Sequence, residues 1–173
     1  MALPSLTQTP TLYPNCCLSL STPFLTHLAS LLPTHPHFTL SIGSGSGQLE
    51  ALITTNHRDV RIEGVEVNSS VNLYIEEQDM NFVTGTWELC SRAAQAKAWM
   101  FVYPREPKLL MKYIETYGGG EVAEILWLGP KVDWSDYEGC FEQSGFKDVG
   151  IYEGGNIGGA EFEVLAVVRK TMS

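Results

Sequence analysis

Three glycines alternating with serines, Gly43-Ser44-Gly45-Ser46-Gly47, constrain this chain more than any other stretch. They follow the apolar run Phe38-Thr39-Leu40-Ser41-Ile42 and lead into Gln48-Leu49-Glu50-Ala51-Leu52-Ile53, where apolar residues return at helical spacing. A strand that runs into glycines and out into a helix is the opening of a nucleotide-type βαβ unit. Glycine is needed there because the turn is tight and because backbone N–H groups must come close to a ligand. The remaining residues must then supply a sheet that begins at this point.

They do so with regular punctuation. Residues 1–37 hold six of the nine prolines, which excludes a central strand or one long helix. One helix fits inside this arm: Ser21 or Thr22 caps it, Pro23 sits in its first turn, and Phe24, Leu25, Leu28, Leu31 and Leu32 make its apolar face. The arm is read as a segment packed over the domain, a candidate lid. Residues 61–67 form a second strand with an acid near its end, and a short helix is expected from Val71 to about Gln78. A third strand covers residues 81–84 and a short helix covers 92–95. Residues 98–103 are apolar throughout, as a strand covered on both faces should be.

A helix then starts at Pro107 and stops at Gly118-Gly119-Gly120, where a left-handed cap is expected. Residues 122–128 are a fifth strand, and Ser135 with Glu138 has capping-box spacing for the next helix. Strands at 146–152 and 161–168 are joined by a glycine-rich linker too short for a helical crossover, so they form an antiparallel hairpin. The predicted fold is an α/β three-layer, Rossmann-like sandwich: a mostly parallel seven-stranded sheet ending in that hairpin. The division expected is an arm at 1–37 and one domain at 38–173.

Composition narrows the function classes. A formal net charge of −9 with no Lys/Arg cluster argues against a nucleic-acid partner. No run approaches the ~20 apolar residues of a membrane span. Cys16, Cys17, Cys90 and Cys140 lack CxxC spacing, and the four histidines form no ligand motif, so no metal is expected. A cytoplasmic protein with reduced thiols is the plain reading.

Gln48-Leu49 stands where a P-loop needs Lys-Ser/Thr, and Gln48 occupies the place of the third glycine of a dinucleotide GxGxxG. Leu40-Ser41-Ile42-Gly43-Ser44-Gly45-Ser46-Gly47 instead resembles the first motif of the class I S-adenosylmethionine-dependent methyltransferases, and Glu66 ends strand two where that family places its ribose-binding acid. The terminal hairpin is similar as well. The resemblance implies S-adenosylmethionine as cofactor, held by Ser41, Gly43, Ser44, Gly45, Gly47, Glu66, Thr86 and Trp87. It departs from the family pattern at Ser41, Thr86 and Ala98, where acids are common.

The resemblance also places the acceptor beyond strand four, at Tyr103, Pro104 and Arg105, with Tyr103 as the candidate catalytic residue. A small-molecule acceptor is expected, and a homodimer is a candidate assembly. The alternative reading is a methyltransferase-like domain without transfer, either a scaffold or a pocket reused for a cyclisation or isomerisation.

Overall fold

A computed structural model of the protein describes residues 2–85 and 87–171. Seven strands form one sheet: β1 (Thr39–Ile42), β2 (Ile62–Glu66), β3 (Met80–Phe82), β4 (Ala98–Val102), β5 (Glu124–Pro130), β6 (Phe146–Glu153) and β7 (Glu163–Lys170). Their order is β3-β2-β1-β4-β5-β7-β6. The first five run parallel, and β7 enters antiparallel between β5 and β6. This is the predicted sandwich with its terminal hairpin. Because β1 lies inside the sheet, between β2 and β4, whatever follows β1 faces the crevice outside the carboxyl ends of the parallel strands.

Helices α1 (Thr22–Leu31), α2 (Gln48–Asn56), α3 (Pro107–Tyr117) and the single turn α4 (Trp134–Tyr137) cover the sheet. Alternation along β4 shows the two layers. Trp99 and Phe101 join Leu40, Tyr113 and Trp127 in one buried cluster, whereas Met100 joins Leu28, Leu52, Ile53 and Leu165 in the other. Each such fully buried side chain contributes roughly 1.5–3 kcal/mol over its exposed state. The α1 N-terminus forms as its sequence requires: Ser21 Oγ accepts from the Phe24 N–H at 3.1 Å, and Pro23 occupies the first turn.

Three local expectations fail for physical reasons. No α-helix forms over residues 71–78; turns there are followed by one 3-10 turn, Glu77–Asp79. The Leu73 and Tyr74 N–H groups donate to the Ser46 carbonyl at 2.9 and 3.0 Å, and the Asn72 side chain bonds both backbone groups of Ile75. These longer-range and side-chain bonds replace the helical ladder.

Gly118 is right-handed at φ −63°, so the left-handed cap after α3 is not formed. What glycine provides there is room, since a Cβ would stand 2.3 Å from the Ile114 carbonyl oxygen. The Ser135/Glu138 capping box is also absent: α4 starts two residues early, at Trp134 with Asp133 as its N-cap, and gives way to a 3-10 turn at Glu138–Phe141.

Candidate functional site

The β1–α2 turn takes its shape from three left-handed glycines, Gly43 (φ 78°), Gly45 (φ 60°) and Gly47 (φ 80°). Their surroundings differ. A Cβ on Gly43 or Gly45 would meet nothing within 4 Å, so both face open space. On Gly47 it would strike Ile75 Cγ1 at 2.6 Å and Asn72 Oδ1 at 2.9 Å. Two glycines thus open the loop outward, and the third lets residues 72–75 close against its back.

The loop is tied to β2. The Gly43 and Ser44 N–H groups donate to the Val65 carbonyl at 3.0 and 3.1 Å. The Gly45 N–H donates to Glu66 Oε2 at 2.8 Å, and the Val67 N–H reaches Oε1 at 3.2 Å. The glycine loop and the acid at the end of β2, found separately in the sequence, therefore meet at one point. Ser44 lies on the β2 side, its Oγ 4.0 Å from Met80 Sδ.

Ser41 is fully buried beneath the loop and donates to Glu50 Oε2 at 2.6 Å. Glu50, on α2, is only 3% exposed. Burial pushes its carboxyl up to about 7, against the opposing hydrogen bond from Ser41. In the sequence α2 is marked by its apolar residues Leu49, Leu52 and Ile53, and nothing in a motif singles out this acid. The available signal was a carboxylate set between two of those buried positions.

A cavity of about 90 Å³ lies over the loop, lined by Gly43, Gly45, Gln48, Glu50, Val102 and the arm residues Asn15–Cys17. The Gln48 Oε1 is buried with no hydrogen-bond partner. The Asn15 carbonyl accepts from Ser46 Oγ at 2.5 Å, which seats the arm on the loop. Burial pushes the Cys16 thiol up to about 12, so it lines the cavity as a neutral thiol and not as a nucleophilic thiolate.

Tyr103 follows β4 in a left-handed conformation (φ 49°), and its N–H donates to the Leu128 carbonyl at 2.7 Å. Its phenol donates to Glu163, the first residue of β7. Burial first, then this carboxylate, push the phenol well above its ordinary value and keep it protonated. Glu163, itself raised by burial, also accepts from the Ser19 N–H of the arm at 3.1 Å. The Pro104 carbonyl accepts from Tyr137 Oη at 2.7 Å, and Arg105 is exposed. Trp87, beyond β3, is 47% exposed; Thr86 lies outside the described residues. The structure thus gathers Gly43, Gly45 and Glu66 at one point, places Ser41 beneath them, and turns the Tyr103 hydroxyl toward β7.

No family model matches the sequence, and no curated protein matches it. Solved structures do match the fold. The TehB-like SAM-dependent methyltransferase from Corynebacterium glutamicum superposes with a TM-score of 0.63 at 12% identity, covering 86% of this chain and 88% of that one. The methyltransferase domain of bacterial CtHen1 gives 0.62 at 12% identity over 85% and 97%. Precorrin-6y C5,15-methyltransferase from Geobacter metallireducens gives 0.61 at 12% over 86% of each chain. The chain has the class I SAM-dependent methyltransferase fold, in a form divergent in sequence.

Proposed function

We propose that this chain is an S-adenosylmethionine-dependent methyltransferase acting on a small-molecule acceptor in the cytoplasm. The contact between Glu66 and the Gly45 N–H, beside two glycines that face open space, carries this reading. Each Glu66 oxygen accepts one backbone N–H and has lone-pair capacity left for one of two adjacent ribose hydroxyls. Gly43 and Gly45 leave a cradle that any side chain would fill. The unpartnered Gln48 Oε1 and the Glu50 carboxyl are two acceptors on the cavity wall, matched to an amino group. Trp87 offers an exposed aromatic face for a base.

The cofactor supplies a methyl group on a positively charged sulfur, and in-line placement of the acceptor provides much of the rate. Tyr103, Pro104 and Arg105 are the acceptor side. With its phenol held protonated, Tyr103 serves as a wall and hydrogen-bonding group, not as a base. Ligand pockets span roughly 300–1,000 Å³, well above the cavity of about 90 Å³ beneath the arm. Asn15–Cys17 would draw back to admit a nucleoside-sized ligand, so the lid is this stretch of the arm, while α1 stays packed in the core. The net charge of −9 supports a small molecule over a nucleic acid. Four free cysteines are consistent with a reducing compartment.

Calorimetric titration with S-adenosylmethionine and S-adenosylhomocysteine tests the reading. Saturable binding is expected, and no binding at millimolar ligand would sink it. Glu66→Ala should weaken binding by ~1–3 kcal/mol, the scale of hydrogen bonds to a charged group; unchanged affinity would mean that the acid points elsewhere.

A second reading is a domain that binds without transferring, or that reuses the pocket for a cyclisation or isomerisation. Ser41 in place of an acid and the Tyr103 hydroxyl committed to Glu163 favour it. Tight binding without methyl turnover across an acceptor panel would select it.

A further inference from the structure

The two edges of the sheet are unlike. β3 ends one side after three residues, whereas β6 ends the other with eight. An edge of that length presents unpaired N–H and C=O groups and is a template for another strand. We propose that β6 pairs antiparallel with β6 of a second copy of this chain, about a two-fold axis at Gly150, joining two sheets into one.

The sequence of β6, Phe-Lys-Asp-Val-Gly-Ile-Tyr-Glu, is complementary to itself in this register. Val149 faces Ile151 of the other copy, Asp148 faces Tyr152, and Lys147 faces Glu153. Every facing pair then occurs twice by symmetry, as an isologous interface requires. Apolar residues meet at the centre and opposite charges meet at both ends, where Lys147, at a bulge between Phe146 and Asp148, gives up its bond to the Glu142 carbonyl and Glu153 shares its exposed ion pair with Lys131. Val149 and Ile151 are 47% and 45% exposed, so the centre of the strand is apolar surface that the single chain leaves uncovered.

Gly150 sits on the axis with φ not positive, and a Cβ there would find only ordinary contacts, Tyr152 Cε2 at 3.7 Å and the Val167 carbonyl oxygen at 3.9 Å, so the centre of the strand is extended and free of crowding. The glycine loop follows β1, separated from β6 by β4, β5 and β7, so the pairing is independent of the proposed ligand site.

Sedimentation equilibrium of the full chain tests the interface, with circular dichroism confirming that each variant is folded. The wild type is expected to dimerise. Lys147→Glu and Glu153→Lys each place like charges opposite one another at two symmetric positions, and each should weaken association about tenfold. An equimolar mixture of these two variants restores both pairs, because Glu at 147 of one copy then faces Lys at 153 of the other. Recovery of dimer in the mixture is the expected result. Ile151→Lys should give monomer while leaving the S-adenosylmethionine titration of the wild type unchanged. A wild type that stays monomeric at millimolar concentration overturns the proposal, as does a mixture no better associated than its components.

Discussion

Glu50→Gln is expected to stabilise the protein by about 3 kcal/mol at pH 8 and to leave it unchanged near pH 4. The cause is the buried carboxyl beneath the glycine loop. In the folded chain it holds its proton up to about 7, whereas the unfolded chain releases it near the ordinary value of 4.5. Between those values the native state binds more protons than the unfolded state, so stability falls as pH rises. Above about 7 the loss is complete. Glutamine keeps an acceptor for the Ser41 hydroxyl and cannot ionise, so the variant escapes this loss. Urea denaturation of both proteins at pH 4.5 and pH 8 measures the divergence. Parallel stability profiles would show that the Glu50 carboxyl titrates in the native state as it does in the unfolded chain.

Gly47→Ala is expected to destabilise the fold by roughly 2–5 kcal/mol, combining left-handed strain of about 1–2 with overpacking of about 1–3. The added methyl must hold φ at 80° and would meet Ile75 Cγ1 and Asn72 Oδ1 inside normal contact distance. Gly45→Ala separates strain from crowding, since its methyl meets nothing within 4 Å. It should cost only about 1–2 kcal/mol of stability and yet weaken S-adenosylmethionine binding by filling the open side of the loop. Chemical denaturation and calorimetry on the two variants give the comparison. Equal stability losses would mean that residues 72–75 yield to the Gly47 methyl without cost.

The parts of the fold that could be read from the sequence each carried a local signal. The strand before Gly43, the helix from Gln48, the Ser21 cap and the closing hairpin depend on neighbours within a few positions. Glu66 could be paired with the loop because strand and acid recur at a fixed place in a βαβ unit. Residues 71–78 could not be read correctly, because Leu73 and Tyr74 bond a carbonyl in a loop much earlier in the chain.

Gly118 illustrates a different limit: glycine was needed, but for space beside Ile114 and not for a left-handed turn. Glu50 looked like an ordinary helix glutamate. Only the fold shows it enclosed by Ser41, the glycine loop and the arm. Likewise Glu163 carried no motif, yet it receives the Tyr103 hydroxyl and the Ser19 N–H together.

That last contact bears on how the molecule is made. Ser19 and Glu163 stand 144 positions apart, so the arm near the start of the chain is docked by the final strand. Contacts this distant in sequence are costly in loop-closure entropy and slow folding. During synthesis the arm emerges before β7 and must wait for that strand before Glu163 can receive it. The cavity over the glycine loop is therefore completed only after β7 has been translated.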